Sequence, residues 1–221
     1  MAVWALIGFM GCGKSSIGRT AAKMLGVAFI DLDEEIVRRC GKSIPEIFSA
    51  IGEAGFRAIE RDTLEELLTA GGLPLEGRNT RGSIAGGPSA SADGGVSEAN
   101  SRKGKAHLPS GILLSLGGGT LTDPGSRELV RKHCRCIYLR ASLETLAANL
   151  RWEGEAASRP MLAGADPKAP AESPDSLESR IASMMATRGP VYEKAADIIL
   201  DIDGLDYSDV ARQILNCFSG K

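Results

Sequence analysis

Residues 8–15 are Gly-Phe-Met-Gly-Cys-Gly-Lys-Ser, which fits the pattern G-x-x-x-x-G-K-S. The pattern lies between an apolar run, Val3–Ile7, that predicts a strand and a segment, Ser15–Leu25, with apolar residues at helical spacing. A strand, a glycine-rich turn and a helix in this order form the context in which the pattern binds phosphate. A glycine-rich turn that matches by coincidence is the alternative, and this context disfavours it. The feature predicts an α/β fold with a nucleotide-phosphate site.

The rest of the chain alternates predicted strands with predicted helices. Further strands are predicted at Val27–Leu32, Ile112–Leu116, Cys136–Leu139 and Ile198–Leu200. Helices are predicted at Glu34–Arg39, after a capping pattern at Ser43 and Glu46, at Ala54–Leu68, near Ser126–His133, after Ser142, at Leu177–Thr187 and at Ser208–Phe218. This alternation predicts a parallel sheet with helices on both faces, and such sheets bind ligands beyond the carboxyl ends of their strands.

Two segments depart from this pattern. Residues 70–110 are rich in Gly, Ser, Ala, Asn and Pro without apolar periodicity, which predicts a flexible insertion. Residues 152–176 have a similar composition with more charges, and we expect a mobile lid loop there. A length of 221 residues with 43% hydrophobic residues suits one domain, 1–221, that contains both segments.

Composition excludes several classes of protein. A net charge of -2 without a basic block predicts no nucleic-acid partner. No apolar run is long enough to span a membrane and the first ten residues lack a signal-peptide pattern, so we expect a cytoplasmic protein with no membrane contact. Five cysteines without a C-x-x-C pair and only two histidines argue against a disulfide framework or a structural zinc site. We expect a monomer whose partners are small molecules.

The phosphate loop and two nearby carboxylates are the first candidate site residues. Backbone N–H groups of the loop would surround phosphate oxygens, Lys14 would reach the β- and γ-phosphates, and the Ser15 hydroxyl would bind Mg²⁺. Asp31 and Asp33 end a predicted strand, where alternation places both side chains on one side. Without other evidence, two aspartates at the end of a strand are more often solvated turn residues than functional ones. Beside a phosphate loop, one carboxylate suits the Mg²⁺ shell and the other suits the acceptor hydroxyl of a kinase.

Three arginines and a glycine run are further candidates. Arg57 lies in the first turn of a predicted helix, Arg188 where a helix is predicted to stop, and Arg159 in the predicted lid. The alternative is a solvated charge for Arg57 and Arg159, and for Arg188 an ordinary structural arginine at a helix end. A planar guanidinium also suits a carboxylate or a phosphate. Gly117–Gly119 follows a predicted buried strand, and three successive glycines allow backbone to approach a ligand or another strand closely.

Taken in order, these motifs resemble the shikimate kinase family. The matching stretches are GFMGCGKSSIGR, FIDLDEEI, IFSAIGEAGFRAIE, LSLGGGT, SRPML and RGPVYEKAA, which cover nearly the whole chain apart from the insertion. The resemblance implies a three-layer P-loop kinase fold of the nucleoside-monophosphate-kinase group, with a five-stranded parallel sheet, helices on both faces and a mobile lid. It also implies ATP-dependent phosphorylation of the 3-hydroxyl of shikimate, which yields shikimate 3-phosphate and ADP in the chorismate pathway to aromatic amino acids.

The resemblance also implies roles for individual residues. Asp33 would bind the acceptor hydroxyls and serve as base, Arg57 and Arg188 would hold the shikimate carboxylate, and backbone at Gly118 and Gly119 would contact shikimate. Lys14 and Arg159 would stabilise the transferring phosphoryl group. Mg²⁺ would bind Ser15 and, through water, Asp31. The residues implied for ATP binding are Gly11, Cys12, Gly13, Lys14, Ser15, Ser16 and Arg159.

The sequence also departs from the family pattern and leaves alternatives open. The insertion and the long lid are unusual, and Asp203–Tyr207 lacks the arginine that the family often places under adenine, so Arg151 is the candidate for stacking on the base. A related kinase acting on gluconate or a nucleoside monophosphate would share the loop and the lid. A nucleotide-binding paralogue without catalysis is the other alternative. The set of Arg57, Gly117–Gly119 and Arg188 favours a carboxylated polyol as the acceptor.

Overall fold

The computed structural model describes residues 2–69, 111–152, 160–162, 173 and 176–218, without the side chains of Ala2 and Trp152. The predicted insertion, 70–110, lies outside the described residues. Most of the predicted lid also lies outside them, and this part includes Arg159. In the described part of the chain, no helix is both long enough and apolar enough to cross a bilayer.

A five-stranded parallel sheet forms the centre of the molecule. Its strands are β1 (Ala2–Ile7), β2 (Ala28–Asp31), β3 (Gly111–Ser115), β4 (Cys134–Arg140) and β5 (Ile198–Asp201), in the order β2-β3-β1-β4-β5. Strands that are covered on both faces are apolar throughout, and every residue of β3 is buried. The predicted five-stranded α/β fold is confirmed.

Helices connect the strands within the described ranges. They are α1 (Lys14–Leu25), α2 (Leu32–Cys40), α3 (Ile44–Thr69), α4 (Pro124–His133), α5 (Leu143–Trp152), α6 (Leu177–Ala195) and α7 (Tyr207–Phe218). The chain passes from β1 through α1 to β2 in one direction across the sheet, and from β3 through α4 to β4 in the other. Right-handed crossovers therefore place α1 and α4 on opposite faces. Such a reversal opens a crevice beyond the carboxyl ends of β1 and β3.

The boundary between β2 and α2 differs from the prediction. The strand ends at Asp31, whose carboxylate accepts hydrogen bonds from the backbone N–H groups of Asp33 (3.0 Å) and Glu34 (3.3 Å) and so caps α2. Asp33 is therefore in the first helical turn, and strand alternation is the wrong reason for its proximity to Asp31. The cap brings the two aspartates to the same edge of the sheet instead.

The helices predicted after Ser43 and at Ala54–Leu68 are both present and together form α3. They meet at a kink at Gly52, whose backbone is not helical and whose positive φ of 70° is a conformation that glycine tolerates. The predicted pairing at its start is present, since the Glu46 carboxylate accepts hydrogen bonds from the Ser43 backbone N–H (2.7 Å) and hydroxyl (2.6 Å).

The prediction that a helix stops at Arg188 is wrong, because α6 continues through Pro190 to Ala195. Proline removes one backbone donor and crowds the carbonyl four residues earlier, which usually ends a helix. Here the side chains of Arg188 and Tyr192, on either side of Pro190, both donate hydrogen bonds to the Gly118 carbonyl. These tertiary bonds attach the part of α6 around the proline to the glycine turn.

Candidate active site

The phosphate loop, residues 8–15, connects β1 to α1 in a conformation that requires glycine. Gly11 (φ 79°) and Gly13 (φ 77°) both have left-handed backbone. Lys14 is buried, and its Nζ donates hydrogen bonds to the carbonyls of Gly8 and Phe9, each at 2.9 Å. The ammonium is thereby anchored at the rim of the crevice by the loop's own backbone.

Cys12 lies behind the loop rather than at its surface. Its side chain is fully buried with Sγ 3.7 Å from Lys14 Nζ, and its backbone N–H donates to the Phe9 carbonyl at 3.4 Å. A small side chain fits this position because Gly8 packs against it. A Cβ added to Gly8 would lie 3.0 Å from Cys12 Sγ. Any contribution of Cys12 to ATP binding thus comes from its backbone.

The hydroxyl of Ser15 and the carboxylate of Asp31 form a small oxygen-rich pair. Ser15 Oγ donates a hydrogen bond to Asp31 Oδ2 at 2.6 Å, while Oδ1 accepts the two bonds that cap α2. Because the serine donates its proton to Asp31, the lone pairs of Oγ remain available to a cation. Oxygen donors of this kind suit Mg²⁺.

A cavity of about 530 Å³ opens where the strands end. Most of the predicted site residues line it: Gly11, Gly13, Lys14, Ser15, Ser16, Asp31, Asp33, Arg57, Gly118, Gly119 and Arg188. An apolar wall of Ile44, Phe48 and Phe56 also faces it, with the two phenyl centroids 4.5 Å apart. The cavity therefore combines the glycine-rich loop, two guanidinium groups, four carboxylate side chains and an apolar face.

Glu60 is a site residue that the sequence analysis missed. It is fully buried, its Oε2 accepts from Arg57 Nη1 at 2.6 Å, and its Oε1 accepts from Thr120 Oγ1 at 2.6 Å. A Cβ at Gly117 would lie 2.8 Å from both Glu60 Oε1 and Asp33 Oδ1, which places both carboxylates against this glycine. The spacing of Arg57 and Glu60 was the only available signal, and exposed helices carry many such pairs.

Arg57 itself is well positioned to receive an anion. Its side chain is 13% exposed, Nη2 lies 3.4 Å from Glu53 Oε1, and Nε is buried without a hydrogen-bond partner among the described residues. Gly119 packs against this guanidinium so closely that a Cβ there would overlap Nη2. The arginine lines the cavity, and a guanidinium there suits a carboxylate ligand.

Arg188 reaches the cavity from the other side. It is 5% exposed, Nη1 donates to the Gly118 carbonyl at 3.2 Å, and its guanidinium lies over the ring of Phe9 with Cζ 5.7 Å from the centroid. The Tyr192 hydroxyl donates to the same carbonyl. Arg188 is thus held between the phosphate loop and the glycine turn.

Arg151, the candidate for stacking on adenine, forms an ion pair with Glu178 at the start of α6. A smaller cavity of about 210 Å³ lies nearby, lined by Asn149 and Tyr207 among others. Asn149 Nδ2 donates to the Gly11 carbonyl at 2.8 Å, and a Cβ at Gly13 would lie 2.9 Å from the Tyr207 ring. These contacts connect α5 and α7 to the back of the phosphate loop.

The shikimate kinase family model matches residues 10–75 and 102–219, which is most of the chain. This chain belongs to the shikimate kinase family. The shikimate kinase of Halorhodospira halophila is 31% identical over 216 residues, covering 98% of this chain and 93% of its own length. That of Chlorobium chlorochromatii is 36% identical over 198 residues, covering 90% of this chain and 80% of its own.

A solved shikimate kinase structure has the same fold. The enzyme from Acinetobacter baumannii, in complex with shikimate, superposes with a TM-score of 0.70 at 24% identity, covering 100% of this chain and 94% of its own. The family assignment does not favour the two alternatives, a gluconate or nucleoside-monophosphate kinase and a non-catalytic paralogue. The two matched segments leave residues 76–101, inside the predicted insertion, without a counterpart in the family model.

Proposed function

We propose that this chain transfers the γ-phosphoryl group of ATP to the 3-hydroxyl of shikimate, which yields shikimate 3-phosphate and ADP. One observation carries the proposal: a single cavity contains the phosphate loop at Lys14, the carboxylate of Asp33, and the two guanidinium groups of Arg57 and Arg188. A small carboxylated polyol requires cationic side chains to bind its carboxylate and a protein carboxylate to accept hydrogen bonds from its hydroxyls. Membership of the shikimate kinase family supports the same substrate.

On the acceptor side, Arg57 and Arg188 bind the carboxylate of shikimate, and the apolar wall at Phe48 and Phe56 covers its ring. Glu60 holds Arg57 in place by its 2.6 Å ion pair. Asp33 binds the acceptor hydroxyls and accepts the proton of the attacking one, and backbone at Gly118 and Gly119 contacts the substrate. Asp33 is suited to the role of base because it lines the cavity at the edge shared with Lys14.

On the ATP side, backbone N–H groups of residues 11–16 bind the phosphates at the start of α1. Lys14 supplies a positive charge to the transferring phosphoryl group, and its two bonds to loop carbonyls hold it in position before the nucleotide binds. We assign Arg159 a second charge there. Phosphoryl transfer depends mainly on such positioning and charge neutralisation.

Mg²⁺ fits the oxygen pair formed by Ser15 and Asp31, with Asp31 acting through water. No group of three or more His, Cys, Asp or Glu side chains that could hold a metal occurs in the described ranges, so most ligands of the ion would come from phosphates and water. When bound, the ion neutralises charge on the β- and γ-phosphates. Chelation with EDTA should stop ADP formation, and excess Mg²⁺ should restore it.

The first test is a coupled assay of ADP release with Mg-ATP and a panel of acceptors: shikimate, quinate, gluconate and nucleoside monophosphates. We expect turnover with shikimate alone. Absence of turnover with shikimate, despite measurable ATP binding, would refute the proposed activity. We further propose a cytoplasmic monomer. Light scattering at assay concentrations tests the monomer.

A further inference from the structure

The carbonyl of Gly118 accepts two side-chain hydrogen bonds from one helix. Arg188 Nη1 donates at 3.2 Å, and the Tyr192 hydroxyl donates as well. The two residues are four apart in α6, so they lie on the same face of the helix, and Tyr192 is 1% exposed. A buried hydroxyl therefore reaches the same backbone atom as a residue of the acceptor site.

Gly118 lies in close contact with the phosphate loop. A Cβ there would lie 3.0 Å from the backbone nitrogen of Met10, so the glycine turn packs directly on the phosphate loop. The next residue, Gly119, packs against the guanidinium of Arg57. Because the peptide is planar and trans, the direction of the Gly118 carbonyl also determines the direction of the Gly119 N–H.

We propose that Tyr192 is a positioning residue for the acceptor site: its hydroxyl holds the Gly118 carbonyl, and thereby keeps the Gly118–Gly119 peptide and Arg188 in place for the acceptor's carboxylate. This inference rests on the proposed function. The 3.2 Å bond from Arg188 is long and uses one of five guanidinium donors. Arg188 also interacts with the Tyr192 hydroxyl itself, so this hydroxyl contacts both the Gly118 carbonyl and the guanidinium.

Two further observations separate the hydroxyl from the ring of Tyr192. The ring packs against Tyr138 with centroids 5.3 Å apart, a core contact that phenylalanine would keep. Burial raises the pKa of the Tyr192 phenol, so the hydroxyl remains a protonated donor over the pH range of an assay. Removing only the oxygen should thus affect the turn and spare the core.

The test compares Tyr192→Phe with the wild type and with Tyr138→Phe, which removes the hydroxyl of the neighbouring buried ring. For Tyr192→Phe we expect the KM for shikimate to rise about three- to tenfold, the range of one lost hydrogen bond, with the KM for ATP and kcat within about twofold. Tyr138→Phe should leave the KM for shikimate unchanged. With the methyl ester of shikimate as acceptor, Tyr192→Phe and the wild type should differ less than with shikimate.

The outcomes distinguish the two proposals. A wild type that does not phosphorylate shikimate refutes the proposed function itself. An active wild type together with an unchanged KM for shikimate in Tyr192→Phe overturns the positioning role. Unfolding of Tyr192→Phe, a parallel loss in all kinetic constants, or an equal effect of Tyr138→Phe assigns Tyr192 to core stability and also overturns it.

Discussion

Most of the phosphate side of the cavity comes from one short stretch, residues 8–16, whereas the acceptor side is assembled from residues between Asp33 and Arg188. On the phosphate side the backbone forms the site: left-handed glycines shape the loop, and loop carbonyls accept hydrogen bonds from Lys14. On the acceptor side, Arg57 is held by the buried carboxylate of Glu60 and Arg188 lies over Phe9. A local motif is therefore enough for the first side, while the second exists only in the folded chain.

This difference has consequences for substitutions. On the phosphate side, a substitution of Lys14 removes its charge and its two hydrogen bonds to loop carbonyls, while the left-handed glycines still shape the loop. On the acceptor side the same side chains provide both charge and shape, so a change at one residue should displace its neighbours.

Asp33→Asn tests the point where the two sides meet. We expect kcat to fall by about 10²- to 10⁴-fold, the usual contribution of a general base, while ATP binding measured by titration stays nearly intact. Asp62→Asn is the matched control, because the Asp62 side chain is 70% exposed and its ion pair with Arg61 is long, at 3.9 Å. Full activity of Asp33→Asn would refute its role as base.

Lys14→Met removes the charge of the phosphate side alone. We expect the loss of about 3 kcal/mol of transition-state stabilisation, or about a hundredfold in kcat. Lys23→Met, an exposed lysine on the same helix, serves as the control and should retain the wild-type rate. An unchanged kcat in Lys14→Met would mean that ATP reacts elsewhere.

Gly119→Ala disturbs the acceptor side alone. The added methyl would overlap Arg57 Nη2, so the guanidinium must move, and we expect the KM for shikimate to rise about tenfold, roughly one charged hydrogen bond. The KM for ATP should stay unchanged. Gly189→Ala is the control, because a Cβ at that position would meet no atom within 4 Å among the described residues outside its own helical turn and chain neighbours. Equal effects on both Michaelis constants would show that the two sides are not separable in this way.

Deletion of Gly72–Lys105 should have the smallest effect. The family model has no counterpart for residues 76–101, and the cost of closing a loop changes slowly with its length, about 0.6 kcal/mol per doubling. We expect kcat, both KM values and the melting temperature to remain close to those of the full chain. A sharp fall in both activity and melting temperature would show that the segment is more than a passive insertion.

Much of the fold could be predicted from the sequence because local patterns record local physics. Apolar runs marked all five strands, and glycines with a lysine and a serine marked the phosphate loop between β1 and α1. Errors arose where a side chain changed a boundary. The Asp31 cap ends β2 early, and α6 continues past Pro190, where Arg188 and Tyr192 both bond to the Gly118 carbonyl.

The α/β architecture, the phosphate loop and the set of charged residues available for an acceptor all follow from local sequence patterns. How those charges are held depends on tertiary packing: Glu60 lies between Arg57 and Thr120, and the Gly118 carbonyl lies between Arg188 and Tyr192. The physical reason is distance along the chain. Thr120 lies 60 residues from Glu60 and Arg188 lies 70 from Gly118, so these partners meet only after the parallel sheet has brought β1 and β3 side by side.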